Sequence, residues 1–202
     1  MNTERFKNLN NLHEYWQALG AKETNGLFKH HSWPNKTWVY DFSLPKEAKT
    51  LVSDKGVFST AENGLNLNGM KVKSQLVMMN LLITDRNYEA KKNDSNNSIV
   101  KINTVAQAKE WAVACGSAFG YGIDLAVIEQ LITVHQATIY AYVIDGNIAG
   151  TAIGYHTGDT LGIHQLGTVP DYRKRGVADA LMQQLLNLAK ESGCITVSLQ
   201  AS

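Results

Sequence analysis

The stretch "TLGIHQLGTVPDYRKRGVADALMQQLLNLAKESGCITVSLQ", residues 160–200, restricts the fold more than any other part of the chain. It reads as a β-rich run, a basic turn, an amphipathic helix and a second β-rich run. Val177, Leu181, Leu185 and Leu188 form one apolar stripe at helical spacing, with Lys190 in the last turn and Gly193 at the stop. Two strands joined through a helix run parallel, because a crossover of this length returns the chain to the same end of the sheet. The chain therefore belongs to the α/β (α+β) class, with a helix laid on a mixed sheet. A length of 202 residues with 44% hydrophobic content is enough to bury a substantial core around it.

Upstream, the pattern is consistent with that class. "SIVKINTV" reads as a strand, and "TVAQAKEWAVACGSAFG" as a helix with Thr104 as N-cap and Gly120 near its end. "DLAVIEQLITVHQA" is a second helix capped by Asp124, with Leu125, Ile128, Leu131 and Ile132 on one face. "TIYAYVIDGN" and "IAGTAIGYHTGD" are strands joined by the hairpin signal Asp145-Gly146-Asn147, and a further turn at Gly158 and Asp159 leads into the crossover. The order over 98–202 is β, α, α, β, β, β, α, β.

The polar run "NYEAKKNDSNNS", residues 87–98, has linker composition and divides the chain into an N-terminal region, 1–90, and a C-terminal core, 98–202. In the first, "NNLHEYWQALG" places Leu12, Tyr15, Trp16 and Leu19 on a helical stripe that ends at Gly20. "TWVYDF" and "SQLVMMNLLI" read as strands, the second apolar enough to be buried on both faces, and two Asn-Gly pairs between them signal tight turns. His30 and His31 are adjacent and would point to opposite faces of a strand, a poor chelate, so no metal site is expected. Cys115 and Cys194 lie in apolar segments without His or Cys at ligand spacing and are expected as buried, reduced thiols.

Formal net charge is +1, which generates no whole-protein field for nucleic acid or an anionic membrane. The N-terminus lacks a signal-peptide core and no apolar run reaches a membrane span, so a cytoplasmic protein is expected, with neither nucleic acid nor membrane as partner. The cations are locally concentrated: between Lys109 and Arg173 there is no Lys or Arg, and then Arg173, Lys174 and Arg175 follow one another directly before Gly176. One reading is a solvated basic turn ahead of a surface helix. The other is an anion site, since unpaired N–H groups and the positive end of the dipole lie at a helix N-terminus, where cations alone are disfavoured. The position on a strand-to-helix connection, where α/β sheets bind ligands, supports the second.

The segment "LGTVPDYRKRGVADALMQQLL" resembles the acyl-CoA signature of the GNAT superfamily of N-acyltransferases, a V-x-P-like strand end, then [QR]-x-x-G-x-[GA], then a long helix. Arg173, Gly176 and Ala178 fill the three defining positions, and the element order over 98–202 matches the family's. The resemblance implies a GNAT-like mixed sheet flanked by helices, and the N-terminal half, a helix followed by strands, reads as a degenerate GNAT-like module beside it. It further implies acetyl-CoA as co-substrate and no metal. The pyrophosphate would be held by backbone N–H groups of Arg173, Lys174, Arg175, Gly176, Val177 and Ala178, and the pantetheine arm would pair with Leu166, Gly167 and Thr168.

What the resemblance implies about chemistry is direct attack of an amine, from a small molecule or a peptide, on the thioester. Some members carry a Glu base on the last strand, where this chain has Ser198; others use an imidazole on the strand before the loop, where this chain has His164, whose ordinary pKa suits a base near neutrality. His156 on the neighbouring strand is the weaker substitute. The loop "SAFGYGID", with Phe119, Gly120, Tyr121 and Gly122, suits a turn lining the substrate. In the family the last strand seen here is followed by a helix with a Tyr that protonates the leaving thiolate and by two more strands. The expectation is a core truncated after its fifth strand, the other sources of the missing elements being a second chain or the N-terminal half. The expected function is N-acetyltransferase; a non-catalytic acyl-CoA-binding or regulatory module is the alternative, and homodimerisation is left open.

Overall fold

A computed structural model describes residues 3–43, 57–60, 72, 74–84 and 97–201. The two Asn-Gly pairs between "TWVYDF" and "SQLVMMNLLI" lie outside them. The crossover forms as its pattern requires: β8 (Thr160–Thr168) leads through a short 3-10 turn (Pro170–Tyr172) into α4 (Val177–Glu191), and β9 (Thr196–Ala201) returns parallel to β8. Helix α4 buries Val177, Leu181 and Leu185 on one face of the sheet, where they pack with Leu161, Ile163 and Val197.

The sheet is completed on both sides of the crossover. β5 (Asn97–Lys101), β6 (Ala137–Ile144) and β7 (Asn147–Thr157) pair antiparallel in sequence, and β7 pairs antiparallel with β8. Asp145 and Gly146 both take positive φ, 48° and 78°, which is the two-residue turn that Asp-Gly favours. On the opposite face from α4 lie α2 (Val105–Phe119) and α3 (Leu125–Leu131). Thr104 and Gln107 form a reciprocal capping box at the start of α2, Gly120 ends it in the left-handed region at φ 75°, and the Asp124 carboxylate caps α3.

The N-terminal region departs from the expected division at 90–98. Its strand β4 (Val77–Leu82) pairs antiparallel with β9 along its whole length, giving one six-stranded sheet in the order β4-β9-β8-β7-β6-β5. The expectation that "SQLVMMNLLI" is buried on both faces is corrected: β4 is an edge strand and all six of its residues are exposed, Val77 at 65%. Apolar content alone does not distinguish a central strand from an edge strand.

Helix α1 (Thr3–Ala18) lies on the α2 face of the sheet, over β7, β8, β9 and β4. Its other side packs against a three-stranded antiparallel sheet, β1 (Lys22–Thr24), β2 (Leu27–Lys29) and β3 (Thr37–Val39), through Trp16, Trp38, Phe42 and Phe58. Toward the large sheet the contact is polar. Asn8 Nδ2 donates to Met79 O at 3.1 Å and Asn80 Oδ1 at 2.9 Å, Asn11 Nδ2 donates to Tyr155 O at 2.8 Å, and Lys7 pairs with Asp159 at 2.6 Å. Both asparagines are fully buried, so each amide replaces water that the strand carbonyls would otherwise hold.

Two histidines of this region are buried as neutral rings. His13 Nδ1 accepts from Trp38 Nε1 at 3.0 Å, a bond that a protonated nitrogen cannot accept, and His30 lies against Trp16 O at 2.9 Å. Burial holds both below the ordinary histidine pKa, as it does His156.

Two outcomes follow from this arrangement. Replacing Asn11 by Leu leaves Tyr155 O without its donor and should destabilise the chain by about 1–3 kcal/mol in a single urea transition, since helix and sheet share that contact; two separate transitions would contradict it. Because the histidine pKa values are lowered by folding, the unfolded chain takes up the extra protons first. Stability should therefore fall as pH drops below about 6.5, by about 1.4 kcal/mol per pH unit for each histidine still neutral in the fold. A urea midpoint that stays constant from pH 7 to pH 5 would refute this.

Candidate functional site

Pairing between β8 and β9 stops at Ile163 and Leu199, while β8 continues to Thr168 against β7 alone. Beyond Ile163 one edge of β8 therefore faces an opening crease rather than a neighbouring strand. A bulge on β8 marks the point of divergence: the β7–β8 register jumps between Thr151 and Ile153, and Gln165 takes φ 49°. Leu166, Gly167 and Thr168, the residues that the resemblance sets against a pantetheine arm, occupy this stretch.

At the end of β8 the chain turns into α4 through two left-handed residues, Lys174 at φ 63° and Gly176 at φ 79°, on either side of Arg175. Gly176 is the N-cap and brings no side chain, so the first-turn N–H groups of Val177 and Ala178 have no capping acceptor and point out of the helix end. A side chain at Gly176 would require a backbone conformation that L residues rarely adopt. All three cations are exposed. Arg173 directs Nε to Thr168 O at 3.5 Å and Nη2 to Ala118 O at 3.4 Å, joining the end of β8 to the C-terminal turn of α2, and Arg175 lies over the Tyr172 ring at 5.3 Å. The sequence motif thus contributes two kinds of group, backbone donors from 176–178 and a cationic rim.

His164 lies at the crease, 6% exposed, and does not have the ordinary pKa assumed for a base: burial lowers it to about 3. Its partner settles its tautomer. The Asn11 amide nitrogen is committed to Tyr155 O, so Asn11 Oδ1 faces His164 Nε2 at 3.0 Å, and an oxygen can only accept; Nε2 carries the proton. The Asn11 amide and the imidazole meet over Gly162, where any Cβ would collide with both. The imidazole expected as a neutral-pH base is therefore desolvated beside an amide, with no carboxylate against it among the described residues, surroundings that disfavour its charged form.

Tyr15 of α1 stacks on this imidazole, ring centroids 3.8 Å apart and planes within 6°, and its buried hydroxyl has no hydrogen-bond partner among the described residues. Burial raises its pKa well above the ordinary phenol value, and the nearby Cys115 and Tyr121 raise it further. Tyr121 Oη donates to Gln165 Oε1 at 3.2 Å and the Cys115 thiol approaches the same oxygen at 3.5 Å, with Cys115 pushed up to about 12 by burial. The titratable groups gathered at the crease, Tyr15, Cys115, Tyr121 and His164, are all neutral near pH 7.

Of the other expected positions, Ser198 pairs with Gly162, beside the place where the Asn11 amide and the imidazole meet, and its buried hydroxyl has no partner among the described residues. His156 lies apart, contacting Cys194 Sγ at 3.5 Å near the far end of β7. Asn11, Tyr15, Cys115 and Gln165 are the residues that sequence reasoning missed. One signal was present: Asn8, Asn11 and Tyr15 fall at i, i+3 and i+7 of a helix, so polar residues share its buried stripe.

Residues 105–202 match the family model described as "Acetyltransferase (GNAT) family". Among solved structures, a GCN5-related N-acetyltransferase from Sphaerobacter thermophilus aligns with TM-score 0.54 and 19% identity over 62% of this chain and 42% of its own. A GCN5-related N-acetyltransferase from Kribbella flavida aligns with TM-score 0.50 and 12% identity over 64% of this chain and 49% of its own. The chain thus spans less than half the length of either structure. No curated protein matches the sequence. The match, the crossover fold and the helix-terminus loop agree, and residues 105–202 of this chain form a domain of the acetyltransferase (GNAT) family.

Proposed function

We propose that this protein is an N-acetyltransferase that moves the acetyl group of acetyl-CoA onto an amine of a small molecule or peptide. The observation that carries the reading is the continuity of the open edge of β8 with the side-chain-free N-terminus of α4. The fit to coenzyme A rests on these residues themselves. First-turn N–H groups uncovered by any side-chain cap suit a diphosphate, Arg173, Lys174 and Arg175 add cationic donors at its rim, and the β9-side edge of β8 over 166–168, which has no strand partner among the described residues, faces an amide-bearing arm. When bound, acetyl-CoA supplies an activated acyl carbon.

The chain's own residues then have limited tasks. Tyr15 holds an unpartnered O–H in a dry crease, where it is a strong hydrogen-bond donor and, with a raised pKa, keeps its proton until a more basic atom faces it. His164 fixes the Tyr15 ring by stacking and in turn is fixed by Asn11. Among the described residues at the crease none is a base near neutrality, so the amine has to arrive unprotonated. The alternative reading, a non-catalytic acyl-CoA-binding module, shares the loop and differs only in amine-dependent thiol release.

Calorimetry with CoA is the direct test. Gly176→Asp places a carboxylate at the anion site, Asp being among the side chains that best tolerate a left-handed φ, and should weaken CoA by about 2 kcal/mol or more, roughly thirtyfold. Arg173→Ala, which removes a rim cation but no backbone donor, should cost less than about tenfold; equal losses, or no CoA binding by the unaltered chain, would overturn the assignment. In acetyl transfer, kcat/KM should climb about tenfold per pH unit below the amine's own pKa, following the free amine, without an inflection near 6.5. An inflection near 6.5 that disappears in His164→Gln would restore the imidazole as base.

A further inference from the structure

Between α2 and the segment 120–125 runs an open groove of about 620 Å3. Ala112, Val113 and Gly116 line it from the helix, and Tyr121, Ile123 and Leu125 from across. Lys109 is the single charged residue of this lining among the described residues. Val113 is 71% exposed and Tyr121 45%, so the groove presents apolar surface to solvent in a size range typical of small-ligand sites.

The groove borders the crease across an aromatic wall. Tyr121 lies against Phe119, ring centroids 5.6 Å apart, and Phe119 in turn packs on Gly167 so closely that a Cβ there would come within 2.7 Å of its ring. The Tyr121 hydroxyl reaches Gln165 at the β8 bulge. One side of Tyr121 thus belongs to the groove and its hydroxyl to the crease.

We propose that the groove holds the non-reacting body of the acceptor, and that the acceptor is a monoamine with an apolar aromatic or aliphatic body rather than a polycation. The inference rests on the acyl-transfer reading and adds the chemistry of the second substrate. A hydrocarbon body gains from leaving water against Val113, Ile123, Leu125 and Tyr121. A second ammonium group would have to lie in a lining without a carboxylate and with the Lys109 cation in it, where it loses hydration and gains no counter-charge. The reacting amine would round Tyr121 to reach the open edge of β8, where it attacks as the uncharged amine.

The test is titration of 2-phenylethylamine and of spermidine, in separate calorimetric runs, into the full chain with and without saturating CoA, together with thiol release from acetyl-CoA. The expected result is that 2-phenylethylamine binds and is acetylated, and spermidine binds at least about tenfold more weakly. Val113→Asp, at an exposed position, should weaken 2-phenylethylamine about tenfold or more with CoA affinity unchanged, and Lys109→Glu should narrow the gap to spermidine. Tighter binding of spermidine, or no effect of Val113→Asp on 2-phenylethylamine, overturns the inference, as does absence of any 2-phenylethylamine binding to CoA-loaded protein. Failure of CoA itself to bind refutes the acyl-transfer reading instead, and the runs without CoA still report on the groove.

Discussion

The end of parallel pairing at Ile163 and Leu199 is the constraint on which the other features of the site depend. Up to that point β8 is a central strand paired on both sides; beyond it the β9 side has no strand partner among the described residues, and backbone donors and acceptors there are costly to bury unless something pairs with them. The bulge at Gln165 turns the strand at that place, and the chain that follows enters α4 through left-handed residues that leave the helix end bare. A free strand edge and a free helix terminus therefore lie in succession along one stretch of backbone. An extended ligand with a peptide-like arm and an anionic end can satisfy both, which is why the fold and the acyl-CoA reading support each other.

The second constraint is polar. Helix α1 is held to the large sheet by buried amides and an ion pair, while hydrocarbon on its opposite side binds it to the aromatic cluster of the small sheet. Buried amides are directional, and they set the rotation of α1 about its own axis more tightly than an apolar stripe would. That rotation stacks Tyr15 on His164 and seals the imidazole from water, which in turn lowers its pKa to about 3. The same contact that completes the wall of the site thus removes the most obvious base from it. The N-terminal region contributes to the sheet edge through β4 and to the crease through Tyr15, although the family match begins only at residue 105.

Much of the C-terminal core was legible in the chain because its signals are local. Thr104 and Gln107, Asp124, Asp145-Gly146 and Gly176 each mark a cap or turn through the geometry of neighbouring backbone, and the α4 stripe needs only a period of 3.6 to be read. The triplet Arg173 to Arg175 was likewise recognisable as lying at a helix start, but not the placement of its side chains: Arg173 spans to Ala118, fifty-five residues away. The burial expected of "SQLVMMNLLI" did not hold, since whether a strand is central or at an edge depends on which other strands find it.

By itself, the sequence determined that residues 160–200 form a parallel crossover with a bare helix N-terminus, because apolar period, turn chemistry and capping act between residues a few positions apart. Only the tertiary structure decided that α1 closes the crease, that Asn11 and Tyr15 control His164, and that Tyr121 links a groove to the β8 bulge. Those outcomes depend on contacts between residues up to 153 positions apart, on desolvation, and on the space left at Gly162, none of which has a local signature in the chain.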